Sequence, residues 1–299
     1  MTLHPCLWML LVVATAASSL VAPAPVVVFG SGSPELSLIT AKLAARAGFK
    51  TSLITGEGSE PQWRRLMYGS EYAEGGRDEE YNAQLVVGDG ISPAVKEAAG
   101  LCMICDSAAL PEGALNSALD AAQDLQRIVL LSQMGVTRAT GGFLGKSDIK
   151  LLEGEQRVAE AAAKKGVELS IVRVGTLKGG GPGRYENRKV VSGVELGLAK
   201  EYYDTLFDLE TALVTQSYDK FTLGAKCVKG DPFDLTNPVL RLAYKGSFEP
   251  RDDESSRVVA GGALVAALCH PTQVEFSLGA AKGEAPPTTG QWEALLNQL

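Results

Sequence analysis

Histidine is nearly missing from this chain, with His4 and His270 the two in 299 residues. A histidine-based triad or zinc site therefore has almost nothing to work with. Cysteine is sparse and odd in number, at Cys6, Cys102, Cys105, Cys227 and Cys269, which argues against a disulfide framework. Positive charge is short as well: 28 Lys and Arg face 35 Asp and Glu, and the net charge is −7. No segment clusters cations as a phosphate-backbone footprint requires, so nucleic acid is not an expected partner. Long apolar runs are also missing. The best candidate, from about Cys6 to Ala17, is too short to span a membrane, so no integral span is expected once a leader is removed.

What is present is an ordinary globular composition, 45% hydrophobic and 21% charged, long enough for one large α/β domain or for a domain plus a small lobe. Residues 1–25, MTLHPCLWMLLVVATAASSLVAPAP, read as a targeting segment: an apolar core followed by small residues suited to cleavage, though without Lys or Arg before the core. From Val26 on, short β-branched runs alternate with helical stretches. The runs are VVVF, TSLIT, QLVVGD, LCMIC, RIVLLS and VELSIVRVG, and the helical stretches include 36–47, 92–99, 114–125 and 153–165. Such alternation predicts right-handed βαβ units, a doubly wound parallel sheet with helices on both faces, and ligands at the carboxyl ends of the strands. The boundaries expected are 26–177 for this core and 178–299 for a C-terminal cap or substrate region that completes the fold. That region starts with the cationic glycine loop Lys178–Arg184. It goes on through an amphipathic helix over 194–218, with Tyr202, Tyr203 and Phe207 as core residues, then an Ala-rich helix over 258–269, a last strand VEFSLG and a terminal helix over 289–299.

The first turn carries the clearest chemical signal. Gly30-Ser31-Gly32-Ser33 follows VVVF and opens a helix, where glycines let backbone approach a pyrophosphate and exposed amides offer positive potential. The later glycine-demanding positions hold Ser33 and Leu36. Glu35 puts a carboxylate near the expected phosphate, and Leu36 either holds the helix off the sheet or fills the space. Ser33-Pro34-Glu35 is equally a good helix start, with Ser33 as N-cap. Weakened phosphate affinity is the expectation. Past the second strand, Glu57 favours NAD and Arg64 with Arg65 favours NADP, NADP being preferred; Asp89 with Gly90, ending the third strand, is placed for an adenine edge or for an Asp-Gly turn. Cys102 and Cys105 lie three apart on a strand and so face opposite ways, as buried structural thiols rather than a redox or metal pair. His270, before Pro271, reads as a solvated or dipole-facing residue at a helix end.

VVVFGSGS, QLVVGDGISPAVKEAA, RIVLLSQMGVTR, KLLEGEQRVAEAAAKKGVELSIVRVGTL and SSRVVAGGALVAALCHP together resemble the atypical short-chain dehydrogenase/reductases, within them the NAD(P)-binding, NmrA-like group of cyanobacteria and plastids. The resemblance covers roughly residues 26 to 279 and implies a Rossmann fold, an NADP or NAD cofactor and a small organic substrate. It assigns Ser132 to the carbonyl-orienting Ser and Lys150 to the Lys that holds the ribose. The proton-donating Tyr falls on Lys146, which puts carbonyl reduction in doubt. Arg173-Val174-Gly175 stands for the family's Arg-Pro-Gly, whose Pro lies against the nicotinamide. Tyr185 to Lys189 spells Y-x-x-x-K but follows the sixth strand and so belongs to the cap loop. Residues 17–23 also resemble the cleavage motif of proteins sent to plastids of secondary endosymbiotic origin, with secretion as the rival destination. Three readings stay open: an NADPH-dependent reductase; a catalytically degenerate nucleotide-binding sensor or assembly factor with a plastid protein partner; or a fold that binds no nucleotide and serves only as a scaffold.

Overall fold

The computed structural model describes residues 20–55, 63, 83–138, 146–180, 185–186, 189–190, 223–232 and 251–299. β1 (Pro25–Gly30), α1 (Pro34–Arg46), β2 (Lys50–Ile54), β3 (Ala83–Val86), α2 (Ile91–Lys96), β4 (Gly100–Ile104), α3 (Glu112–Ala121), β5 (Arg127–Gln133), α4 (Lys146–Lys165) and β6 (Glu168–Val174) form the expected alternation. Short strands β7 (Thr176–Lys178), β8 (Tyr185–Glu186) and β9 (Lys189–Val190) follow. Then come β10 (Leu223–Lys229), β11 (Glu254–Ser256), α5 (Arg257–Cys269), β12 (Glu275–Lys282) and α6 (Thr289–Leu296). The main sheet has the order β3-β2-β1-β4-β5-β6-β12-β10, with β10 antiparallel and all other pairs parallel. The strand order reverses between β1 and β4, where ligands of such sheets bind.

Both faces of the sheet are buried, which is why its strands read as continuous apolar runs. Along β1, Val26 and Val28 face the layer of α1 and α5, whereas Val27 and Phe29 face α2, α3 and α4. Cys102 and Cys105 divide the same way, each buried in a different core, and burial holds both thiols protonated, that of Cys105 with its pKa pushed up to about 11. Among the described residues no group of His, Cys, Asp or Glu is arranged to hold a metal ion, and no helix is long and apolar enough to cross a membrane.

Two observations concern the ends of the expected core. The first is the region after 177. β10 and β12 extend the main sheet, and Val259, Leu264, Leu268, Phe276, Trp292 and Leu296 share one core with Val28 and Leu36. The described part of the C-terminal region therefore completes the sheet instead of standing above it; the helix expected over 194–218 lies outside the described residues. The second is the segment before Val26. Leu20 is only 3% exposed, its side chain packs against Gly100, and the Ala24 carbonyl accepts from the Lys50 amide.

Candidate functional site

The turn after β1 sits at the switch point between β1 and β4, and its glycines are required by close packing. A Cβ on Gly30 would overlap the Ile104 carbonyl, and one on Gly32 would overlap both that carbonyl and the Asp106 carboxylate. Ser33 is the N-cap of α1: its Oγ accepts from the Leu36 amide at 3.4 Å and donates to Glu35 Oε2 at 3.1 Å, with Pro34 in the first turn. Leu36 fills space: its side chain is fully buried in the core.

The amides that would meet a phosphate are already engaged. Gly32 donates its N–H to the Ile104 carbonyl at 2.9 Å, and Ser33 donates its N–H to Asp106 Oδ1 at 2.8 Å. Ser31 Oγ donates to the Ala108 carbonyl at 2.7 Å, fastening the loop after β4 across the turn. Burial raises the Asp106 pKa, the Ser33 amide and the Arg257 charge oppose that rise, and Glu35 adds to it. Arg257, the first residue of α5, donates through Nη1 to the Gly179 carbonyl at 2.5 Å, while its buried Nε has no hydrogen-bond partner. The sequence reading passed over Asp106 and Arg257. Asp106 was legible as the polar residue just past the carboxyl end of a central strand, but Arg257 is brought to the turn only by the packing of α5 on α1.

The residues assigned to catalysis lie at the end of β5 and the start of α4. Ser132 shares the parity of Ile128 and Leu130 and so faces α4. It is 2% exposed and lines a small cavity of about 10 Å3 with Cys105, Leu151, Gly154, Glu155 and Val158. A space of that size holds about one water at most. Lys146 and Lys150 lie in the first turns of α4; the Lys150 side chain is exposed, and that of Lys146 lies outside the described residues. The loop beyond β5 is tied down by Asp231, which accepts from the Gly135 amide at 2.6 Å and the Thr137 amide at 3.1 Å.

Arg173, read as a cofactor contact, is committed elsewhere. Its buried guanidinium donates to both carboxylate oxygens of Glu155 and to Glu275 Oε1 at 2.7 Å. Burial works against this cation, but the two carboxylates outweigh it and hold its pKa above the ordinary value. Val174 is buried beneath α5, and its carbonyl accepts from Met134. Of the two readings of His270, the solvated one is corrected: it stands at the C-terminal end of α5 but is 6% exposed, with Nδ1 at 2.9 Å from the Thr272 carbonyl and Nε2 at 3.2 Å from Asn297 Oδ1. Asp89 and Gly90 belong to a single turn after β3, with the Asp89 side chain outside the described residues, as are Glu57, Arg64 and Arg65. Tyr185 and Lys189 fall in the β8–β9 hairpin, after β6 as chain order required. A roomy apolar cavity of about 560 Å3, lined by Leu43, Ala47, Val265 and Trp292, lies at the far end of α1 and so is separate from the phosphate turn.

No family model and no curated protein matches the sequence. Solved structures do match in fold. A candidate NAD-dependent epimerase/dehydratase from Bacillus halodurans aligns at a TM-score of 0.50 and 11% identity, over 92% of this chain and 99% of its own. UDP-glucose 4-epimerase from Brucella ovis, in complex with NAD, aligns at 0.47 and 15% identity, over 90% and 81%. Likeness at this level is likeness of fold, and the fold is the Rossmann-like α/β sheet of the first of these proteins.

Proposed function

We propose that this chain binds a nicotinamide dinucleotide across the β1–β4 switch point, and that it is a degenerate member of the atypical short-chain dehydrogenase/reductases without their carbonyl-reducing apparatus. The observation that carries the proposal is the glycine turn: Gly30 and Gly32 stand where the β4 backbone leaves no room for a side chain, directly before the N-terminus of a 13-residue helix. That geometry is the one by which backbone meets pyrophosphate. The residues that would hold the cofactor are the turn Gly30–Ser33, its helix amides, and Arg257 as the nearby cation. A bound nicotinamide would supply hydride chemistry or a redox-dependent signal. Against reduction of a carbonyl stand the enclosure of Ser132, the exposure of Lys150 and the Lys at 146 in place of Tyr. NADP over NAD, plastid delivery and a protein partner there belong to the same proposal and rest on the sequence alone.

Titration of the full chain with NADH and NADPH tests it, followed by nicotinamide fluorescence and thermal unfolding. A ligand at a hundredfold excess over Kd stabilises the native state by about 2.7 kcal/mol, so even a modest site gives a visible shift. Saturable binding of either cofactor, with no NADPH oxidation against carbonyl and quinone panels, is the expected result. Turnover on such a panel would restore the reductase reading, and silence of both signals to millimolar ligand would remove the dinucleotide.

A further inference from the structure

We infer that Asp106 is an internal pseudo-ligand: its carboxylate occupies the anion position at the α1 N-terminus, and a dinucleotide phosphate must displace it to bind. The inference rests on the dinucleotide reading of this site and deepens it into a mechanism of regulation. Three observations converge. Asp106 Oδ1 takes the Ser33 N–H, the amide that a phosphate at this turn would use. The same oxygen fills the space left by the missing side chain of Gly32, the space that lets backbone approach a ligand. The Arg257 charge stabilises the Asp106 carboxylate, and its buried Nε has no hydrogen-bond partner.

The loop that carries Asp106 is anchored by the hydrogen bond from Ser31 Oγ to the Ala108 carbonyl, by buried Leu110 and by Ala109 against Gly154. Displacement is therefore a rotation of the Asp106 side chain off the Ser33 amide, with the loop in place. Its main cost is the exchange of one charge-assisted bond for another, so the closed form lowers the apparent affinity by the fraction of molecules that are open. The charged and titratable groups around Asp106 are Glu35 on α1, Cys105 at the end of β4 and Arg257 on α5. Glu35 repels both the native carboxylate and an incoming phosphate, so it does not discriminate between them. Protonation of Asp106 removes the charge that competes with the phosphate. Because burial raises this carboxyl above its ordinary value, affinity for a phosphate group increases as pH falls through the raised value.

The test compares the full-length chain with its Asp106→Asn and Asp106→Ala variants. Each is titrated with NADH between pH 5.5 and 8, and each is melted with and without inorganic pyrophosphate. The variant with alanine binds NADH about ten- to a hundredfold more tightly than the native chain, by the ordinary strength of a hydrogen bond to a charged group. The asparagine variant, which keeps the shape but loses the charge, falls between them, and both variants lose the native pH dependence. Equal affinity in all three chains, or weaker binding in the alanine variant, overturns the pseudo-ligand and leaves dinucleotide binding standing. If NADH binds none of them while pyrophosphate raises the melting temperature of the alanine variant but not of the native chain, the pseudo-ligand stands and the dinucleotide reading falls. No response to either ligand in any chain overturns both. The asparagine variant retains an acceptor for the Ser33 amide and keeps the comparison valid if the alanine variant does not fold.

Discussion

The turn after β1 and the end of β5 lie one strand apart on the carboxyl edge of the same sheet, yet they are built in opposite ways. At the β1 turn glycines leave the backbone bare, and the Asp106 side chain lies against it. At the β5 end side chains leave little space: Ser132 faces Leu151 and Glu155 under α4, and Asp231 ties the following loop. A cradle made of glycines and helix amides depends on chain path, which tertiary packing preserves. A catalytic group depends on one exposed side chain in the right place, which a few substitutions remove.

Substitutions sharpen this contrast, and the largest effect is expected at Glu155. Its change to Ala leaves the buried Arg173 with only the half-exposed Glu275, and the loss of a buried partner is worth about 3 kcal/mol or more. Urea unfolding measures that loss, and NADH affinity should stay the same because the hydrogen bonds of Glu155 and Arg173 do not involve the glycine turn. An intermediate effect is expected from Gly30→Ala, whose methyl would overlap the Ile104 carbonyl and force β1 and β4 apart, for about 1–3 kcal/mol. Here stability and dinucleotide affinity fall together, and retention of full affinity would break the contrast from the cradle side. The smallest effect belongs to Ser132→Ala and Lys150→Ala, each within about 1 kcal/mol of the native stability and without change in cofactor binding. A clear loss of binding in either would show that the β5 end still serves the ligand.

Much of this was legible in the sequence. Fully buried parallel strands announce themselves as short apolar runs, so β1 to β6 and their helices follow from period and punctuation, and Ser33-Pro34 marks the start of α1. The parity of Ile128, Leu130 and Ser132 was also on the page, but which face it meant depends on where α4 packs. β10 escaped because Leu-Gly-Ala-Lys-Cys-Val-Lys has little strand character, as suits an edge strand guarded by lysines. VEFSLG was read as a strand but assigned to a separate lobe, since a strand's own residues do not say which neighbour it will pair with. The meeting of Asp106 with Arg257 is a property of packing alone.

The placement of α5 has a consequence for how the molecule is made. α1 comes far earlier in the chain than the helix that covers its apolar face, which begins only at Arg257, and the side chains that interlock there are Ile39 and Leu43 against Gly261. A nascent chain halted after β6 would carry the whole glycine turn while presenting to water the part of this core that α5 covers. Folding of this layer must therefore wait until α5 has been made, and the cell's chaperones have a defined surface to guard until then. Premature termination anywhere before α5 is expected to yield insoluble polypeptide, not a small working nucleotide domain.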